Sequence, residues 1–566
     1  MNHPSPAIVA QAAVRRLPRL ALLLFCLAYV LPGFLGRGAW KSEDMTALGY
    51  MAALAHDGAD WLHPSLLGIA PENPALLPYW IGAWALDLCP SWLAPDLAAR
   101  LPFMLLLALA LLATWSGTYY LARSQNAQPV AFAFGGEAAP KDYARAIADG
   151  GLLALIGCLG LAQLAHEATP ALVQLAFSSL LFLGLAALPY YPRAALVGAL
   201  AAILGLSLSG APALGLLYVL GGALIHALDK TGEPEQRAFG ARLPLVLLLL
   251  LGALACAALG WSLHLLRWKI EWPHATLKEW NGYAQLLIWF TWPAWPLALW
   301  TLWRWRRQWL TRSISRHLAL PLWILGVTLF ATVTSAASDR TLLLALPALA
   351  ALAAFALPTL KREMAALVDW FTLLFFSGSA LIIWVVWIAM QTGFPSQPAS
   401  NVERLAPGFE ASFSGTALAP ALLATLVWAW LVHWRVGRHR AAIWKSLVLP
   451  AGGAALCWLL LMTLWIPLLD FSQGYTTLVS STLRQLNPPG CAQTLGLGRA
   501  KIAALQFYGN LQLQPLDGAA RCPWLIAEPA ADMDAPAGLD PQTWQLLASV
   551  RHPTDGNERV LLFRRR

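Results

Sequence analysis

The chain has 566 residues, 58% of them apolar and 12% charged, against roughly 45–50% apolar and 25% charged in soluble proteins. That balance excludes a soluble globular protein, and recurring apolar runs of about 20 residues exclude a β-barrel, whose strands alternate over about ten. The 38 Lys and Arg against 29 Asp and Glu leave a net charge of +9. In a membrane protein such an excess marks loop orientation and not a nucleic-acid partner.

Taken in chain order, thirteen membrane spans are predicted, near residues 19–36, 101–122, 150–166, 170–189, 194–209, 212–228, 243–262, 286–303, 318–335, 341–358, 370–390, 418–434 and 446–467. With the N-terminus, which carries Arg15, Arg16 and Arg19, in the cytoplasm, the inner segments hold 21 basic residues and the outer loops eight. Basic loops resist translocation, so this orientation is the expected one, and an odd number of spans leaves the C-terminal tail outside. No small-residue cleavage site follows the first apolar stretch, which reads as a retained helix. The expectation is therefore an α-helical polytopic membrane protein with a transmembrane unit over 1–469 and a small periplasmic α/β domain over 470–566.

The first outer loop, 37–100, carries the densest chemistry. It runs through Trp40, Lys41, Ser42, Glu43 and Asp44 into an amphipathic stretch ending at His56, then Pro71-Glu72-Asn73-Pro74 and Tyr79-Trp80. Glu43 and Asp44 are about 100° apart on a helix, so one can face a cavity while the other caps the helix or faces water. Residues 74–88, rich in Trp and Tyr, suit a helix lying at the interface. Later outer segments offer His166 and Glu167, then His264, Arg267 and Lys269, then Arg340 in Ser338-Asp339-Arg340.

The tail alternates polar turns with short β-like runs, 494–497, 524–527 and 560–563, as a small α/β domain would. Cys491 and Cys522 are its two cysteines and are expected to form a disulfide in an oxidising compartment. The other five, in or beside apolar segments, read as small core residues. Gly496-x-Gly498 lacks the third glycine of a dinucleotide fingerprint.

The first-loop pattern resembles the GT-C superfamily of polyprenyl-phosphate-sugar transferases, in particular the branch of the aminoarabinose transferases that modify lipid A and the protein O-mannosyltransferases. The likeness lies in a Trp-x-x-acidic-acidic segment after the first helix, an amphipathic helix, a Gly-x-x-Pro-Glu-x-Pro turn and a Tyr-Trp pair. It is concentrated in residues 30–120, 260–300 and 335–355. The resemblance implies a GT-C fold with an external α/β domain. It also implies a catalytic acidic pair on Glu43 and Asp44, either of which can be the base. Glu72, with His264, would hold a divalent metal or position the donor, and Arg267, Arg340 and Lys269 would hold the donor phosphate. Lys41, Tyr79, His166 and Glu167 are further candidates.

Inverting transfer from a lipid phosphate needs one carboxylate to take the acceptor's proton and one or two cations to hold the charge growing on the phosphate. The expected partners are a lipid-linked sugar donor, a glycolipid, glycan or protein acceptor, and membrane lipids around a monomer, in a bacterial inner membrane. Three other classes stay open: a lipid or sugar transporter or flippase, a protein O-glycosyltransferase, and a non-catalytic envelope assembly protein. A transporter should place charges at mid-span depth, whereas here the acids gather at one face.

Overall fold

The computed structural model describes residues 5–56, 58–229, 239–265, 272, 276–309, 314–335, 338–436, 442–486, 490–516, 522–529, 539–540, 542–556 and 558–566. The helices are α1 Arg19–Val30, α2 Glu43–His56, α3 Leu77–Asp87, α4 Pro95–Ala122, α5 Pro140–Gly157, α6 Leu161–Leu164, α7 Pro170–Ala187, α8 Pro192–Leu208, α9 Pro212–Leu228 and α10 Phe239–Ser262. There follow α11 Leu277–Phe290, α12 Ala294–Arg304, α13 Arg306–Trp309, α14 Arg316–Val333, α15 Ser338–Leu343, α16 Leu346–Ala354, α17 Arg362–Thr392, α18 Ser396–Leu405, α19 Gly415–Val436, α20 Val448–Leu464, α21 Ile466–Gln473 and α22 Thr476–Gln485. Proline opens α4, α5, α7, α8 and α9, because its fixed φ suits a first turn and its missing N–H is not needed there.

Every expected span overlaps a helix. Among the described residues, eight helical segments are long and apolar enough to cross a membrane, and α1, α8 and α9 are apolar but shorter. Three expectations shift. The span placed at 150–166 is α5, which begins at Pro140 and ends at Gly157; Lys141, Asp142 and Arg145 belong to its first turns and not to a loop. The span at 286–303 is broken into α11 and α12 around Pro293, where the Leu159 N–H donates to Trp292 O at 3.1 Å and the Gly160 N–H to Phe290 O at 2.9 Å. The span at 341–358 is likewise divided into α15 and α16.

Small residues set the helix contacts. A Cβ on Gly184 of α7 would lie 3.0 Å from the Ala199 Cβ of α8, an approach that larger side chains would block. The main core is continuous through α2–α9, α14, α16 and much of α20, while α17 and α19 pack on α20 around a second cluster that includes Phe376, Ala380 and Trp428. An apolar groove of about 350 Å³ lies where the two clusters meet, lined by Phe375, Phe376, Ile383, Cys457 and Trp458 among others.

The tail folds as expected, into a sheet with one further helix. Its strands are β1 Ala492–Leu495, β2 Leu513–Pro515, β3 Trp524–Ala527, β4 Trp544–Arg551 and β5 Arg559–Arg565, with α23 Arg499–Phe507 between β1 and β2. The order is β2-β1-β3-β5-β4; β1 runs parallel to β2 and β3, and β5 antiparallel to β3 and β4. Cys491 and Cys522 form a disulfide, and the other five cysteines are free.

This sheet unit docks on the first loop. A Cβ on Gly49 of α2 would sit 2.4 Å from the Ala503 Cβ of α23, so the two helices cross where only glycine allows it. The Lys41 N–H donates to Gln473 O at 2.8 Å, the Ala39 N–H to the Tyr508 hydroxyl at 3.0 Å and the Gly38 N–H to Asp470 Oδ1 at 2.8 Å. Loop and tail thereby form one surface at one end of the helical bundle.

Candidate active site

The two acidic neighbours at the start of α2 have separate environments. Asp44 is sealed: its side chain and that of Arg37 are each 2% exposed, with Arg37 Nη1 2.7 Å from Asp44 Oδ2. Its Oδ2 also accepts the Trp40 N–H at 3.2 Å, and its Oδ1 the Ala168 N–H at 2.8 Å. Burial would raise this carboxyl, but Arg37, Arg100 and the Ala168 N–H together hold it below the usual range. Arg37 spends its remaining donors on Gly33 O, Gly38 O and His166 O. Arg100 of α4 completes the network, bonding Phe34 O at 3.0 Å, Arg37 O and Asp96. Each donor finds an acceptor, so this buried cluster fixes the loop.

Glu43 is the contrast. It is half-buried, lines a cleft of about 230 Å³, and makes no hydrogen bond or ion pair among the described residues. Arg340 is within its electrostatic reach. Arg340 Nη2 lies 2.9 Å from Glu167 Oε2, and Nη1 donates to the Thr169 hydroxyl at 3.4 Å. Glu167 is buried, and that burial raises its carboxyl; Arg340 pulls it back only in part, and nearby Asp44 adds repulsion. Thr169 stands immediately before α7, whose first residue, Pro170, lines the cleft. The Glu43–Arg340–Glu167 group thus lies behind and along one wall.

The opposite wall comes from the tail. Arg499, Lys501, Glu528 and Glu558 line it together with Tyr475. Lys501 Nζ sits 2.5 Å from Glu528 Oε1 and 2.8 Å from Glu558 Oε2; burial opposes its charge, but these two partners win and raise the ammonium's pKa. Arg499 Nη1 is 3.5 Å from Glu72 Oε2, and its Nε donates to Ala70 O at 3.1 Å.

The candidates read from sequence therefore divide. Glu43, Glu72 and Tyr79 line the same cleft; burial pushes the Tyr79 phenol up, and its ring packs 5.2 Å from Tyr50. Asp44, Glu167 and Arg340 lie just behind it. Lys41 instead pairs with Asp555 at 3.2 Å, tying loop to tail. His166 is a buried strut between Ala162 O and Tyr29 O, with the Trp458 ring tilted against it at 4.6 Å between centroids. His264 is exposed beyond the end of α10, and Arg267 and Lys269 lie outside the described residues.

The metal expectation finds no fit. Glu72, 79% exposed, is engaged by Arg499, and among the described residues no three His, Cys, Asp or Glu side chains gather to hold an ion. Arg37, Arg100 and the whole tail wall were not singled out from sequence. The one available signal for the tail was the Gly496-x-Gly498 turn that opens α23 directly after β1.

No protein-family model and no curated protein matches the sequence. Solved structures do. ArnT from Cupriavidus metallidurans bound to undecaprenyl phosphate superposes with a TM-score of 0.56 at 13% identity, covering 96% of this chain and 96% of that one. The same protein in the apo state gives 0.56 at 14% identity over the same shares. The chain is a helical membrane protein with the fold of ArnT, the fold that the first-loop resemblance implied.

Proposed function

We propose that the chain is an inverting glycosyltransferase of the bacterial inner membrane that moves a sugar from a polyprenyl phosphate to an acceptor hydroxyl on the periplasmic side. The observation that carries this reading is Glu43. It is a carboxylate free of hydrogen bonds and ion pairs among the described residues, held in a cleft within reach of Arg340, while its neighbour Asp44 is locked away. The shared fold with an ArnT structure that holds undecaprenyl phosphate supports a lipid-phosphate donor.

In this reaction Glu43 takes the acceptor's proton as the acceptor oxygen bonds the sugar's anomeric carbon. The bond from that carbon to the phosphate oxygen breaks, and the departing charge stays on the polyprenyl phosphate beside Arg340, whose planar fork can donate two hydrogen bonds. Arg267 and Lys269 are proposed as further phosphate contacts. The groove between α17 and α20 seats the isoprenoid tail: Trp458 lines it and packs against His166, next in sequence to the Arg340 partner Glu167. The tail domain shapes acceptor access, with lipid A or another envelope glycan as the proposed acceptor. The distribution of basic residues supports a cytoplasmic N-terminus and a periplasmic tail.

The test is transfer of a labelled sugar from polyprenyl-phosphate donors by the purified protein in lipid. Glu43→Gln should lower turnover by about 10²–10⁴-fold, the usual worth of general-base help. Full activity in that variant overturns the assignment.

A further inference from the structure

Arg340 already has an anion. Glu167 occupies it at 2.9 Å from a side chain that is 5% exposed, held from the other side by the Gln163 amide at 3.3 Å. The charged groups facing this carboxylate are Arg340 from α15, Asp44 from α2 and Arg37 from the segment before it. Asp44 and Arg37 are committed to each other. Arg340 is thus the cation on which the charge of Glu167 depends.

A phosphate that takes Arg340, as the proposed function requires, must share or replace this contact. A buried carboxylate deprived of its partner is strongly disfavoured in its charged form and relieves the imbalance by protonation. Aspartate 44 makes that outcome sharper, since its negative charge is fixed by hydrogen bonds and cannot move away.

We infer that Glu167 is a stand-in for the donor phosphate on Arg340, and that donor binding displaces it and is coupled to uptake of one proton by its carboxyl. Glu167 is then a positioning residue. It keeps Arg340 aimed and neutralised in the empty site, then discharges itself so that a phosphate replaces one anion with another instead of adding a second. The proton comes from solvent and returns to it when the phosphate leaves.

This inference rests on the donor reading, and one experiment separates the two. Binding of a short-chain polyprenyl phosphodiester is measured by calorimetry in two buffers of different ionisation enthalpy, across pH 6 to 9; a diester is chosen because its phosphate does not titrate there. The wild-type protein should take up close to one proton per molecule bound at the alkaline end, and its apparent Kd should rise by up to about tenfold per pH unit. Glu167→Gln should bind without proton uptake and with a flat pH profile. Binding by the wild type with no proton exchange, or an unchanged pH slope in Glu167→Gln, overturns the inference and leaves the donor reading standing. No binding by either protein at any pH removes the donor reading and the inference with it. The wild-type measurement does not depend on the variant folding.

Discussion

Arg37 Nη1 and Asp44 Oδ2 lie 2.7 Å apart with both side chains almost wholly out of solvent, while Glu43, one residue away, lines an open cleft. Adjacent carboxylates about 100° apart on a helix have been given separate tasks. Asp44 anchors the loop, and Glu43 is left facing the cleft.

That division predicts a split between two isosteric variants. Asp44→Asn leaves the Arg37 guanidinium buried without its counter-charge and should cost about 3–5 kcal/mol. Glu43→Gln should leave stability within about 0.5 kcal/mol of wild type while abolishing most transfer. Thermal unfolding and turnover, measured on the same detergent-purified samples, check both halves.

Acid should release the anchor. The Asp44 carboxyl is held below its ordinary value, so its folded-state pKa is depressed. Its contribution is fully present above the unfolded value of about 3.9 and is lost as pH falls through the folded one. Docking of the loop should therefore persist at pH 5 and fail only under strongly acidic conditions, as hydrogen exchange at residues 37–56 would record; Asp44→Asn should remove that acid transition.

Arg340 is expected to govern donor affinity. A hydrogen bond to a charged group is worth about 1.5–3 kcal/mol, so its loss should weaken binding of polyprenyl phosphate by about ten- to a hundredfold. Removing Arg340 alone strands Glu167, which makes Arg340→Gln with Glu167→Gln the cleaner variant. Equilibrium binding of undecaprenyl phosphate to that double variant gives the answer.

The crosslink in the tail should matter to the cleft. Cys491 lies just before β1 and Cys522 just before β3, and the segments after these strands supply Gly498 to Lys501 and Glu528. Replacing both cysteines by serine should destabilise the tail unit by about 2–4 kcal/mol. Limited proteolysis should then cut the tail first, with transfer activity falling in parallel.

Much of this architecture was legible in residue order, because apolar runs act locally. The strand 524–527 and the cysteine pair were readable for the same reason. The errors were local too: Lys141, Asp142 and Arg145 disguised the first turns of α5, and Pro293 divided a run that composition alone made continuous. The site was legible in part. Glu43 and Arg340 announce themselves as ionisable groups beside apolar walls. The sealing of Asp44 depends on Arg37, Arg100 and Ala168, and the second wall on Lys501, Glu528 and Glu558, residues hundreds of positions from α2. Only the folded topology brings these together.

The most direct test is a density map of the protein with undecaprenyl phosphate in a lipid nanodisc. The phosphate is expected within hydrogen-bond distance of Arg340, with Glu43 facing the open side of the cleft and the first isoprene units entering the groove beside Trp458. A phosphate bound at the opposite end of the bundle, or on the outer lipid-facing surface with Arg340 still paired to Glu167, would contradict the assignment.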